Sequence, residues 1–492
     1  MHYIINGKIV FIPVEVKNRE WKAKILLAHY FLKKGYHVII GVLWYMDDYA
    51  CKSISSNCVY IGKDFYKYQL ERYKQIKNQN HFITAWDEEG LIYDTDENYI
   101  ALQVNKDTLN ILDYIITWGQ RQKETLLKYY NTNKIDALGN PRIDLLNKKI
   151  INNFYSFENN YILKKYGKDY ILINSNFNIM TRKDYDNRHA VFSANGKSDI
   201  SEKFLDYYDS FLSELFPKFI SMIKIVAKNN PDKKIILRPH PAEEENPWKE
   251  ILKGIENIYI DKSFSVYPWI NNAKVIIHSG CTTGFEATLL GKNVISYQPK
   301  LSINYPDTFP DKISKIIKSE DEINEEIKNI YENFLNQNLT TDQKKLINYY
   351  FSIESEKSCS ERIVERIDEL YDGNGFIEFF ITHKRISKKQ NDINIEFGHI
   401  TKKEIKNDFK CIYKSIKGNY RYKIIELEDN EFIILNKNKS ENIHIDLKKS
   451  FKNYYYLIKE WKLFKIINRL LHLCKKIIKF IFIKNKTVDK DN

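Results

Sequence analysis

The chain reads as an α/β protein with two doubly wound domains of parallel strands facing a common cleft, followed by a C-terminal extension that ends in a basic amphipathic helix. Three observations predict this. The first forty residues form a βαβ pattern. A second strand–helix series opens near Tyr170, after an Asn-rich connection. Within it, two short aliphatic runs stop at polar turns, Arg238-Pro239-His240-Pro241 and Ser279-Gly280-Cys281-Thr282-Thr283-Gly284. Loops at the carboxyl ends of parallel strands are where open α/β sheets bind ligands.

The elements follow in order. Lys8 to Val14 is a β-branched run that predicts the first strand. From Arg19 to Lys34, apolar residues recur at helical spacing (Trp21, Ile25, Leu26, Leu32) and stop at Gly35. His37 to Val42 is the second strand, and right-handed crossover places it beside the first. The first turn lacks G-x-G-x-x-G, which argues against a dinucleotide there. Further strands are expected at Cys58–Gly62, His81–Trp86, Asp113–Gly119 and Lys134–Leu138, with a helix over Gln120–Tyr130 and another starting near Arg142. The second series runs Tyr170–Asn176, a long helix over Asp199–Asn229, Lys234–Leu237, Lys274–His278, a helix over Phe285–Leu290 and Asn293–Tyr297. Asp321 to Tyr371 reads as helical and able to pack back across both domains. The predicted division is 1–155, 156–335, a helical return segment 336–371, a small accessory region 372–450 and a basic tail 451–492.

The 492 residues exceed what one core usually serves. The formal charge of +13 is uneven, because the last 42 residues hold eleven Lys or Arg against three Asp or Glu. A basic tail rather than a basic body argues against a nucleic-acid surface. In that tail Leu457, Trp461, Phe464, Ile467 and Leu471 fall at three- and four-residue steps, with Lys462, Lys465 and Arg469 on another face. This pattern suits an anionic membrane surface. The six cysteines show no C-x-x-C pair or metal-type spacing, which fits free thiols in a reducing compartment. No signal peptide and no apolar run of about eighteen residues is evident, so a cytoplasmic protein, peripheral on the inner face of the membrane, is expected.

The two turns carry the chemistry. His240 can donate to a phosphate or ribose oxygen, and Pro241 fixes the turn that aims it. Arg238 supplies fixed positive charge, to a phosphate or to a structural carboxylate. Ser279, Thr282 and Thr283, with the N–H groups around Gly280 and Gly284, can hold a phosphate and stabilise a leaving nucleotide without a metal. Asp94-Thr95-Asp96 matches the short D-x-D pattern of metal-dependent transferases, and we read it as a loop. No metal or other cofactor is expected.

Six motifs occur in a fixed order: Val14 to Glu20, Asp87-Glu88-Glu89-Gly90, Gly139-Asn140-Pro141-Arg142-Ile143-Asp144, Arg238-Pro239-His240-Pro241, Pro268-Trp269-Ile270, and His278 to Ala287. Over residues 8–300 the chain resembles bacterial surface-carbohydrate biosynthesis proteins of the GT-B fold, and among them the retaining β-Kdo glycosyltransferases that use CMP-Kdo. The resemblance implies that the His-Pro pair holds the cytidine monophosphate and that Glu286 binds ribose hydroxyls. It implies Asp144 as the nucleophile of a covalent Kdo adduct, with Asn140 and Arg142 orienting it or binding the sugar carboxylate. Glu88 or Glu89 would act on the acceptor hydroxyl, and the sequence does not distinguish them from Asp87 beside them. Arg19 and Glu20 either touch the acceptor or form a surface ion pair. The implied partners are a nucleotide-sugar donor, a glycan or lipid-linked acceptor and the inner leaflet, with no nucleic acid. Three rivals share these features: a CDP-polyol phosphotransferase, which needs no Asp144 nucleophile, a nucleotide-sugar 2-epimerase, and a non-catalytic descendant.

Overall fold

A computed structural model describes residues 2–444 except 53, 92, 94, 178–201, 304–306, 334–337, 354, 381–398, 417–421, 429 and 437–442. The amphipathic tail at 451–492, and Asp94 of the D-x-D pattern, lie outside the described residues.

Each domain is built on a parallel sheet. In the first, the parallel strands lie in the order His37–Val42, Ile9–Val14, Val59–Gly62, Phe82–Ala85, Tyr114–Thr117 and Ile135–Ala137. In the second, the order is Ile258–Ile260, Ile235–Arg238, Tyr170–Asn174, Ala273–His278, Asn293–Tyr297 and Lys315–Ile317, and every neighbouring pair is parallel. The chain reverses direction across the second sheet between Tyr170–Asn174 and Ala273–His278. That is a topological switch point, where the loops diverge and leave a crevice.

The strands are legible because they are buried on both faces, which demands near-continuous apolar runs. Side chains alternate between two cores. Val10, Ile12 and Val14 join a core that also takes in Leu172, Ile236 and Ile276 of the second domain, so the inner layers of both domains pack into one cluster. Ile9 and Phe11 face the outer core of the first domain, and Ile171, Ile173, Val275 and Ile277 face that of the second. The helix Lys17–Lys33 fills the inner face of the first sheet, burying Trp21, Ile25, Leu26 and Phe31.

Several regions depart from the sequence reading. The Asn-rich connection forms the helices Lys148–Phe154 and Ser156–Tyr166, and in the stretch read as a loop Thr95 caps the helix Asp96–Gln103. A helix at Leu43–Lys52 and a strand at His2–Gly7 were not expected. The described part of residues 372–450 is not a separate accessory unit. Its hairpin, Tyr422–Glu428 and Glu431–Asn436, extends the first sheet antiparallel to His37–Val42, with Ile433 opposite Ile39. Gly375–Phe380 pairs antiparallel with His2–Gly7, and the Trp21 indole donates to Asp408 Oδ2 at 3.0 Å from the helix Lys402–Ser415. These segments complete the first domain because they cover an edge and a face that its own strands leave open. The helical return is present as Glu320–Asn333, Thr341–Phe351 and Cys359–Leu370. The last of these packs on the helices Lys17–Lys33 and Pro141–Asp144.

Candidate active site

The carboxyl ends of the two sheets enclose a cavity of about 620 Å³. From the first domain come Asn18, Arg19, Glu88, Glu89 and Arg142; from the second come Asn174, Ser175, Asn176, Arg238, His240, Pro241, Lys262, Phe264, Tyr267, Gly280, Thr282, Thr283 and Glu286. Most residues expected from the motifs therefore meet in one place.

The His-Pro turn rests on a carboxylate that the sequence reading passed over. Glu243 is buried and accepts hydrogen bonds from Ser175 Oγ (2.8 Å), the Phe177 amide (2.8 Å), the His240 amide (3.2 Å) and Trp248 Nε1 (2.7 Å). It ties the loop after Tyr170–Asn174 to the loop after Ile235–Arg238. An acidic residue three positions after the His is the local signal that could have found it. His240 Nδ1 accepts the Ala242 amide at 3.2 Å, which leaves Nε2 as the protonated nitrogen of the neutral ring. Burial, and then Arg238, Arg19 and Lys262 against an opposing pull from Glu89, hold this imidazole below its ordinary pKa. His240 is thus a neutral donor at pH 7. Arg238 donates to the Phe264 carbonyl at 3.0 Å, and burial lowers its pKa to about 10. Phe264 has φ 64, a left-handed conformation uncommon for a bulky residue, held where its carbonyl meets that guanidinium.

The second turn is more closed than expected. Gly280, at φ 65, gives its amide to Asp311 Oδ1 at 3.2 Å, and the Cys281 amide goes to His278 Nδ1 at 3.3 Å. Both are committed to the fold, so the phosphate-binding role expected for amides around Gly280 is not available to them. Gly284 instead makes room for His278, since a Cβ there would collide with Nε2 of that ring. His278 bonds Ser314 Oγ at 3.0 Å, and burial lowers its pKa to about 4. Ser279 and Gly284 do not line the cavity, whereas Thr282 and Thr283 do. The helix that follows, Thr283–Leu289, has seven residues, so it adds little dipole field.

The walls are joined across the cleft. Arg142 Nη2 stands 3.2 Å from Glu286 Oε1, and the Tyr267 hydroxyl donates to the same oxygen at 3.2 Å. Asn140 caps the short helix Pro141–Asp144 through the Arg142 amide (2.9 Å) and sends Nδ2 to Glu88 Oε2 at 3.4 Å. Glu88 is buried against Lys24 at 3.2 Å and accepts Trp86 Nε1 at 2.8 Å. Burial alone would raise it, but Lys24, Arg142 and Arg19 outweigh burial and bring its pKa down to about 2. Glu20 is pushed up by burial first and by Glu88 second; it lies behind Arg19, which bonds both Glu20 and Glu89.

The acidic turn now divides. Glu88 is a locked anion, Glu89 is half exposed on the cavity, and Asp87 is buried away from it. Asp87 accepts the Glu89 amide (3.0 Å) and the Tyr99 hydroxyl (3.1 Å), with burial raising it well above a usual carboxylate. Asp87 shapes the turn.

Asp144 is the main correction. It does not line the cavity. Its oxygens accept the Cys359 amide (2.8 Å), the Ser360 amide (2.7 Å) and Ser360 Oγ (2.6 Å), so it caps the start of the helix Cys359–Leu370. A carboxylate holding three donors at a helix N-terminus is oriented away from an attack on donor in the cleft. Among the described residues no group of three or more His, Cys, Asp or Glu side chains could hold a metal ion, and no helix is long and apolar enough to cross a membrane.

Fold and site together define a two-domain α/β protein of the GT-B class, with a polar, cation-rich cleft between its domains. No family model matches the chain, and no curated protein matches it. Among solved structures, the UDP-GlcNAc 2-epimerase of Methanocaldococcus jannaschii in complex with UDP-GlcNAc and UDP is similar at 15% identity, covering 73% of this chain and 99% of that one, with a TM-score of 0.46. A variant of the wall teichoic acid polymerase TagF soaked with CDPG is similar at 14% identity, covering 74% of this chain and 88% of that one, with a TM-score of 0.46.

Proposed function

We propose that this chain is a glycosyltransferase that takes a nucleotide-linked sugar in the cleft, with the donor phosphate against Arg238 and His240. The observation that carries this reading is the lining at the switch point. A buried guanidinium, a neutral imidazole donor and Lys262 converge on a cavity of about 620 Å³, large enough for a nucleotide-sugar. When the bond between the anomeric carbon and the phosphate breaks, the leaving nucleotide gains charge on an oxygen that Arg238 and His240 can stabilise. The acceptor oxygen attacks the anomeric carbon, and Glu89, exposed on the opposite wall beside Arg19, takes its proton.

The finer reading is a CMP-linked acidic sugar, Kdo by resemblance, moved to a surface-glycan acceptor. The direct attack inverts the anomeric carbon, so the retention that the resemblance implies is not part of this route, Asp144 being held by Cys359 and Ser360. The basic tail would hold the cleft near lipid-linked acceptors at the inner leaflet. Burial of Asp144 against Cys359 and Ser360 favours a second reading, transfer of a polyol phosphate from a CDP-linked donor, because that route asks no carboxylate nucleophile of Asp144.

The test is nucleotide release from CMP-Kdo, CDP-glycerol and UDP-GlcNAc with and without candidate acceptors, run beside Arg238→Ala. Acceptor-dependent CMP release from CMP-Kdo alone, lost in the variant, supports the first reading. Release from CDP-glycerol alone selects the second. If none of the three donors binds or turns over, both readings fail.

A further inference from the structure

At the floor of the cleft, Asn174 presents a carboxamide whose Oδ1 and Nδ2 both lack a hydrogen-bond partner. The residue is 2% exposed and lines the cavity. It ends the central strand of the second sheet, on the face that carries Tyr170 and Leu172, and pairs in register with Arg238. The Nε of Arg238 is likewise buried and unpartnered. The backbone around Asn174 is well held, since the Ser175 amide reaches the Arg238 carbonyl at 3.3 Å and Ser175 Oγ reaches Glu243. A side chain that loses both its donor and its acceptor to burial is costly, and native proteins satisfy such groups almost without exception. Exchanging the oxygen and nitrogen of the amide does not relieve it, because neither position has a partner.

We propose that Asn174 is a donor-binding residue that takes a hydroxyl-bearing group of the ligand beside the phosphate held by Arg238. The chemistry of the carboxamide selects the group. A phosphate oxygen only accepts, so it would satisfy Nδ2 and repel Oδ1. A hydroxyl both donates and accepts, and a pair of neighbouring hydroxyls satisfies both ends at once. Leucine, of similar size, would avoid the cost of two buried, unpartnered polar atoms were the site only structural. This inference rests on the reading of the cleft as a nucleotide-donor site. The hydroxyls come either from the ribose of the nucleotide or from the sugar or polyol it carries.

The experiment is isothermal titration of the full chain with CMP, its 2′,3′-dideoxy counterpart and CMP-Kdo, repeated with Asn174→Leu and followed by thermal unfolding. If the ribose is the source, the wild type binds CMP about tenfold more tightly than the dideoxy form, one good hydrogen-bonded pair's worth, and Asn174→Leu loses that difference. If the transferred group is the source, the step from CMP to CMP-Kdo is what the variant loses. In either case the dideoxy form binds both proteins alike, and the variant unfolds at the same or a higher temperature. Asn174→Ser serves if the leucine variant does not fold. Retention of both differences by the variant overturns the inference alone and leaves the donor-site reading standing. A parallel loss for all three ligands with a lower unfolding temperature overturns it as well, since that is a structural role. A wild type that binds none of them overturns the donor-site reading together with the inference.

Discussion

Arg142 and Glu286 stand 3.2 Å apart across the cleft, one on each domain, with side chains 13% and 4% exposed. Their contact is a strut between the two walls. Burial raises the Glu286 carboxyl, and Arg142 and Tyr267 oppose that rise.

Removing one partner leaves the other charged and buried. Glu286→Ala is therefore expected to cost about 3 kcal/mol. Arg142→Met combined with Glu286→Leu is expected to recover much of that. A double-mutant cycle by thermal unfolding measures the coupling; strictly additive losses would mean that the two residues do not sense each other.

Asp144→Asn keeps the shape of the side chain but turns an NH₂ toward the amides of Cys359 and Ser360. We expect a loss of about 2 kcal/mol from the disrupted cap, with nucleotide affinity unchanged. Thermal unfolding and titration with CMP check both parts. Unchanged stability with turnover abolished would instead put this carboxylate in the chemistry.

Glu88 has a folded-state pKa of about 2, below its ordinary 4.5, once Lys24, Arg142 and Arg19 have outweighed burial. A depressed acid contributes stability above its unfolded pKa and loses it as pH falls through the folded one. That contribution should be complete above about pH 4.5 and vanish toward pH 2. Glu20, raised by burial, works in the opposite sense. Glu88→Gln removes this contribution and also relieves Glu20 of its charged neighbour: the variant should be less stable at pH 7 and lose less on acidification.

His240 is held below its ordinary pKa, by burial first, and acts as a neutral donor. Nucleotide affinity should stay flat from pH 7 to 8.5, and His240→Ala should lower it about tenfold at every pH in that range. A rise in affinity as pH falls from 8.5 to 7, absent in the variant, would show that the imidazolium binds instead.

Removal of residues 451–492 should abolish co-flotation with vesicles rich in anionic lipid, and about 0.5 M salt should weaken the binding of the full chain. Equal flotation of both forms would place the membrane contact elsewhere or nowhere.

Much of this was legible in the sequence. His37–Val42 and Asn293–Tyr297 lie where their unbroken aliphatic runs predict, because a strand buried on both faces must be apolar throughout. The two turns at Arg238 and Ser279 were legible for the same reason, since each follows such a strand and begins with the residue where polarity returns. Nothing local marked Asn174, which reads as one more strand-end polar residue until its neighbours are known.

What the sequence determined by itself is the order of most strands and helices along the chain and the place of the turns at Arg238-Pro239-His240-Pro241 and Ser279 to Gly284 at strand ends. Those follow from patterns a few residues long and from the handedness of parallel crossovers. Only the tertiary structure decided the rest. It brings Arg19, Glu89, Arg142 and Glu286 into one cleft with those turns. Tyr422–Asn436 joins a strand nearly four hundred residues earlier, and Asp144 turns to the amides of a helix 215 residues on. The direction of a side chain at a strand or helix end is set by which distant donors reach it first. No local spacing encodes that choice.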